Sequence, residues 1–186
     1  MGLTFDSKQP AAGNSASSPI VAAALTFGAA IGVFFVAFVL HEVLHVAVIT
    51  ALGKQAVVVI RPWRFSLLDL APLSVHIQPV PALDVGRQLV VNFLGPALAA
   101  AVVAVWFLNT RSRPLRFALV ANIAVLLFYS AIESFAVLAQ GSRQEIALLL
   151  TPDFNYGLPF AMFAFAALLA SRLGTPPRTR VNSMRS

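Results

Sequence analysis

Residues 20–52 read IVAAALTFGAAIGVFFVAFVLHEVLHVAVITAL, an apolar run in which Glu42 is the one acidic residue and no lysine or arginine occurs. About 20 consecutive apolar residues are enough to cross the hydrocarbon core of a bilayer. The run therefore predicts a first membrane helix that continues through the polar segment 41–45 to Leu52. Gly53 and Lys54, which follow directly, provide the expected stop signal.

The composition of the whole chain agrees with a membrane protein. Of its 186 residues 59% are hydrophobic and 11% are charged, and the mean hydropathy is +0.83, whereas soluble domains carry about 25% charged residues. The absence of cysteine excludes disulfides and thiolate metal sites. The net charge of +6 comes from basic residues at the ends of apolar runs, which fits lipid headgroups and predicts no nucleic-acid partner.

Three further spans are predicted at about Gln88–Leu108, Leu115–Ala139 and Gly157–Ala170. Between the first two helices, a β-branched run at 56–60 and an alternating run at 73–78 predict strands or a hairpin at the membrane surface. The predicted fold is an all-α polytopic membrane protein with about four transmembrane helices and a short membrane-surface β element. It comprises a flexible leader (1–19), a membrane-embedded core (20–172) and a basic tail (173–186).

Four spans put both termini on one side of the membrane. Eight basic residues fall on that side and five on the other, so the positive-inside rule predicts cytoplasmic termini in the cytoplasmic membrane. The eight are Lys8, Arg111, Arg113, Arg116, Arg172, Arg178, Arg180 and Arg185, and the five are Lys54, Arg61, Arg64, Arg87 and Arg143.

The segment His41-Glu42-Val43-Leu44-His45 matches the pattern H-E-x-x-H. Residues four apart share one face of a helix, so the imidazoles of His41 and His45 can reach one Zn²⁺ ion. Glu42 stands where a carboxylate can act as general base towards a zinc-activated water. The alternative is an interfacial His/Glu cluster that only hydrogen-bonds to neighbouring helices.

The motif and its setting resemble the intramembrane zinc metalloproteases of the site-2 protease type, in a small form that covers roughly residues 30–170. A second motif carries the resemblance: Val91-Asn92-Phe93-Leu94-Gly95-Pro96-Ala97-Leu98 is similar to the Gly-Pro helix crossing of that family. The resemblance implies zinc as cofactor, a membrane-associated sheet between these two helices, and membrane-tethered proteins as substrates. It also implies an acidic third zinc ligand later in the chain.

The third ligand departs from the family's usual Leu-Asp-Gly turn, and two candidates remain. The segment Ser142–Pro152 is similar to a smaller branch of the family and implies Glu145 as the ligand. Glu133 is the rival, because it lies inside the third span at a depth comparable to that of His41. Asp153 is a weaker option. The sequence prediction is His41, His45 and Glu145, with Glu133 as the alternative.

Two side-chain amides are candidates for binding the substrate or its oxyanion. Asn92 and Asn122 lie within apolar spans, where such side chains more commonly link helices to each other. His76, alone in an alternating strand, is more simply an interfacial histidine. The edges of the predicted strands could pair with an extended substrate.

The predicted function is zinc-dependent endopeptidase activity within the membrane, with Glu42 as general base. A non-catalytic membrane subunit that keeps a protease-like fold is the main alternative. A small transporter that uses His41, Glu42 and His45 as a relay is a further one, although no internal repeat supports it. Oligomeric state and substrate identity do not follow from the sequence.

Overall fold

The computed structural model describes residues 18–61, 64–66, 69–71, 74–140 and 157–173. Four helices occupy most of this part of the chain: α1 (Pro19–Ala51), α2 (Val85–Asn109), α3 (Arg113–Gln140) and α4 (Leu158–Leu173). The first three are long and apolar enough to cross a membrane, and α4 is a shorter apolar helix of 16 residues. The expected all-α polytopic membrane fold is confirmed.

The ends of α1 follow from local sequence. Ser18 caps the first turn by accepting a hydrogen bond from the backbone N–H of Val21 at 3.3 Å, and Pro19 occupies the first helical position. At the other end Gly53 has a φ of 72°, which only glycine adopts at no cost. The backbone N–H of Lys54 then reaches the carbonyl of Ile49 at 3.2 Å, as in a Schellman motif. The predicted stop at Gly53 and Lys54 is confirmed.

A long β-hairpin connects α1 to α2. Strands β1 (Gln55–Arg61) and β4 (Ser74–Val80) pair antiparallel, and so do β2 (Arg64–Ser66) and β3 (Asp69–Ala71). Arg61 pairs with Ser74 and Arg64 pairs with Ala71, so both pairs of strands share one register. The β element predicted at 56–60 and 73–78 is thereby confirmed, with strands somewhat longer than expected.

The base of the hairpin rests on the helices next to it. Ala56 of β1 and Ile77 of β4 pack against a buried cluster of Ile49, Leu83 and Val91. Asp84 caps α2 by accepting the backbone N–H of Arg87 at 2.9 Å, and this bond holds the pKa of the Asp84 carboxyl below its usual value. The hairpin is thus attached at the end of the bundle where α1 finishes and α2 begins.

The first three helices alternate in direction. The Asn122 side chain of α3 donates to the carbonyl of Ala30 in α1 at 3.1 Å, and further along the two parallel helices Glu133 meets the two histidines of α1. Helix α2 runs the opposite way, because its early residue Asn92 contacts the late residue Glu133 of α3. Two clusters of buried apolar residues, half of them alanine, fill the space between the helices.

Large apolar side chains also cover the outside of the bundle. Exposed examples on α1 alone are Phe35, Val36, Val39 and Val43, each more than half accessible. A soluble protein rarely exposes such a continuous apolar surface. The exposed faces of the helices are therefore the faces that lipid covers.

Candidate metal centre

Three side chains from two helices converge at one point inside the bundle. His41 and His45 come from adjacent turns of α1 and are buried, and Glu133 comes from α3. The Nε2 atoms of the two imidazoles are 2.7 Å apart. The Glu133 carboxylate faces both rings, with Oε1 3.4 Å from His41 Nε2 and Oε2 3.4 Å from His45 Nε2. One possible ligand atom from each residue lies within 4.8 Å of the other two.

These distances can be compared with the needs of a metal. Zinc binds imidazole nitrogen and carboxylate oxygen at about 2.0–2.2 Å, so two tetrahedral ligands lie about 3.4 Å apart. Both His–Glu distances have this value, while the two Nε2 atoms are closer and at hydrogen-bond distance. Two histidines and one glutamate are also the donor set of several catalytic zinc sites, which keep a fourth position for water. The residues present therefore fit a divalent ion of this kind.

Glu42 lies beside the cluster. It directly follows His41 on α1, is partly accessible, and is close enough to His41, His45 and Glu133 for its charge to interact with all three. It differs from Glu133 in that no described hydrogen bond or ion pair ties its carboxylate to the histidines. A second acidic group is therefore available near the cluster without being part of it.

Helix α2 approaches α1 closely at the second histidine. A methyl group built on Gly95 would lie 2.5 Å from Cε1, 2.6 Å from Nδ1 and 2.8 Å from Nε2 of the His45 ring. No side chain larger than hydrogen fits there unless the ring or a helix moves. Gly95 therefore lets α2 pack directly against the imidazole, and Pro96 beside it is buried in the same contact region. The Gly-Pro element proposed from the sequence lies against the motif on α1.

A chain of two side-chain amides on α2 reaches the backbone of Glu133. Buried Gln88 donates from Nε2 to Asn92 Oδ1 at 2.6 Å, and Asn92 donates from Nδ2 to the backbone carbonyl of Glu133 at 3.3 Å. One turn away, Ser130 Oγ donates to the carbonyl of Phe93 at 2.9 Å. These bonds fix the position of α3 relative to α2 at the level where Glu133 faces the histidines.

The two candidates for the third ligand have different outcomes. Glu133 lies at the histidine pair, as the argument from span depth proposed. Glu145, the preferred candidate, and Asp153 lie outside the described residues, so their part in the prediction is untested. Among the described residues, the structure brings His41, His45 and Glu133 together.

The two predicted substrate amides are placed differently. Asn92 lies beside the site, although its described bonds go to Gln88 and to the backbone of Glu133. Asn122 precedes Glu133 by eleven residues, about 16 Å along the helix. Its Nδ2 donates to the carbonyls of Ala30 and Ala118. Asn122 thus links α1 to α3 far from the cluster, which is the alternative role considered for it.

Two further residues at the site were not singled out from the sequence. Buried Tyr129 stacks on His41, with ring centroids 6.4 Å apart and an angle of 20° between the planes. Gln88 begins the amide chain. Both precede a predicted site residue by four positions, since Tyr129 lies one turn before Glu133 and Gln88 one turn before Asn92. Helical spacing from the polar residues in the spans could have identified them.

Comparison with known proteins gives no further assignment. No protein-family model matches the chain, and searches of curated proteins and of solved structures gave no significant match.

Proposed function

We propose that this protein is an intramembrane zinc endopeptidase that hydrolyses peptide bonds of membrane-tethered proteins. The observation that supports the proposal best is the convergence of His41, His45 and Glu133 inside an apolar helix bundle. Ionisable groups are costly within a membrane and are functional candidates there by default. Here three of them face each other, and a fourth, Glu42, lies alongside.

In this proposal His41, His45 and Glu133 hold the ion. A zinc ion in such a site supplies Lewis acidity and lowers the pKa of a bound water to about 7. Glu42 takes the proton of the attacking water and returns it to the leaving amine. Its carboxylate suits this role because it is close to the cluster without being paired to the histidines, and because it is partly accessible whereas both histidines are buried.

The hairpin offers a way to hold an extended substrate. Within the described part of the chain, β1 and β4 pair only with each other, so each presents one edge. A helical substrate hides its carbonyl groups, whereas a strand added to such an edge exposes them. The hairpin base packs on Ile49 of α1, one turn beyond His45. A captured strand would thus lie near the end of α1 that carries the metal site.

The test combines metal analysis with a matched pair of variants. Purified full-length protein should contain one zinc per chain and cleave a labelled single-span reporter with an unstructured juxtamembrane segment. Glu42→Gln should keep the zinc and lose activity by at least about 100-fold, because general-base catalysis contributes about 10²–10⁴. Asp84→Asn, an equally good helix cap, removes a carboxylate away from the cluster and should change neither property.

A non-catalytic role is the second candidate. The Nε2 atoms of His41 and His45 are at hydrogen-bond distance from each other, and each is 3.4 Å from the Glu133 carboxylate, so the same cluster can serve as a polar link between α1 and α3. Protein without stoichiometric zinc would favour that role. Bound zinc with the same residual hydrolysis in the parent and in Glu42→Gln would favour a structural metal site.

A further inference from the structure

A cavity lies between α3 and α4, away from the metal centre. Its volume is about 710 Å³, within the range of about 300–1,000 Å³ typical of small-molecule sites. Ten apolar residues and two arginines, Arg113 and Arg116, line it. Small side chains such as Ala124 and Ala161 create the space, because larger residues at these positions would close the gap between the helices.

The two arginines mark one end of this groove. Both are exposed in the first turn of α3, where the chain enters the membrane span, and neither has an ion-pair partner among the described residues. The Arg116 guanidinium lies over the ring of Phe107, 4.6 Å from its centroid, so part of the positive end is held in place by a cation–π contact. Positive charge at the mouth of an apolar groove suits an amphiphile with an anionic head.

The length of the groove indicates what kind of molecule fits. Arg113 and Ala124, its lining residues furthest apart on α3, are eleven residues or about 16 Å apart along the helix. This is close to half of the hydrocarbon thickness of about 30 Å. A lipid chain reaches from the headgroup level to the middle of the bilayer, whereas a transmembrane helix would need a groove through both leaflets.

The chain's own flanking segment does not suit the groove. Residues 174–186 carry three arginines, no acidic residue and few large apolar side chains. The two arginines at the mouth would repel such a positively charged segment. An occupant must therefore combine an apolar chain with negative charge.

We propose that the groove between α3 and α4 binds an anionic phospholipid. One acyl chain lies against Val120, Ala124 and Phe165, and the phosphate faces Arg113 and Arg116. This binding needs neither zinc nor Glu42, so it stands or falls independently of the proposed protease activity.

The experiment is native mass spectrometry of the full-length protein in detergent, titrated with dioleoyl phosphatidylglycerol or dioleoyl phosphatidylcholine. The parent should retain the anionic lipid at least tenfold more tightly. Arg113→Gln and Arg116→Gln should each weaken its binding roughly fivefold. Arg111→Gln is the matched control, because this exposed arginine is in the same turn of chain but does not line the groove.

A second pair of variants tests the apolar part. Ala124→Phe fills the groove and should reduce retention of both lipids, whereas Ala101→Phe places the same ring on an exposed position of α2 outside the groove and should not. Equal retention of the two lipids, or an equal loss in Arg111→Gln, would overturn the proposal. It would also be wrong if Ala124→Phe retains both lipids as tightly as the parent does, since the apolar groove would then not hold the acyl chain.

Discussion

Replacing Gly95 by alanine tests the link between the helix crossing and the metal site. The added methyl carbon would lie 2.5 Å from Cε1 of His45, and contacts of this kind ordinarily begin at 3.4 Å. About 0.9 Å of overlap must therefore be relieved. All three close neighbours belong to one rigid ring, so either the His45 imidazole turns away or α1 and α2 separate.

Either response should weaken metal binding. Overpacking of a core costs about 1–3 kcal/mol, and changes next to a metal ligand lower affinity by about 10–100-fold. The two ranges agree, because a tenfold change corresponds to about 1.4 kcal/mol. We therefore expect the zinc dissociation constant of Gly95→Ala to rise by about 10–100-fold. Competition with a chromophoric chelator measures it in the purified protein.

Gly32→Ala is the matched control. Gly32 lies on α1, nine residues before His41, and a methyl group there would meet no atom within 4 Å. This variant should bind zinc like the parent and be slightly more stable, since alanine is favoured over glycine in helices by about 0.5–1 kcal/mol. A folded Gly95→Ala protein with a dissociation constant within twofold of the parent would refute the steric argument. Equal losses in the two variants would do so as well.

Three further predictions concern the site and the bundle. Glu133→Gln should release most of the zinc while Glu145→Gln retains it, as measured by metal content after dialysis; the reverse result would make Glu145 the ligand. Asn122→Ala should lower the unfolding free energy in detergent by about 0.6–2 kcal/mol, since it removes an interhelical hydrogen bond, and leave zinc affinity unchanged; a selective loss of activity would instead support the oxyanion role. If the parent protein is first held at a free zinc concentration 100 times the dissociation constant, removal of the zinc by a chelator should lower its unfolding free energy by about 2.7 kcal/mol. The same treatment should have little effect on Glu133→Gln. An equal effect on that variant would mean that zinc does not bind there.

Local patterns were sufficient to predict most of the architecture. The apolar run before His41, the stop at Gly53 and the alternation near Ile77 each depend on neighbours in the chain. Secondary structure of this kind follows from backbone and side-chain preferences within a few residues. The histidine pair was equally predictable, because a spacing of four on one helix sets its geometry without reference to other elements.

The rest of the site depends on contacts distant in sequence. That Glu133 faces the histidines depends on the position and rotation of α3 relative to α1, and no local pattern encodes these. The same holds for Asn122, whose distance of eleven residues from Glu133 matters only once the third helix is known to be continuous between them and parallel to the first. Gly95 could be predicted as a close helix contact, but not as a contact with the His45 ring.

The length of α3 has a consequence for where a peptide bond could be cut. Arg116 lies at the entrance of the helix and Glu133 is seventeen residues further on, a climb of about 26 Å. The hydrocarbon core of the bilayer is about 30 Å thick. If Arg116 lies at one boundary of the hydrocarbon core, the Glu133 carboxylate lies within about one helical turn of the other boundary. Water would then reach the site through a short path from that surface. A membrane-tethered protein would be cleaved near the membrane–water interface, on the side where the hairpin lies.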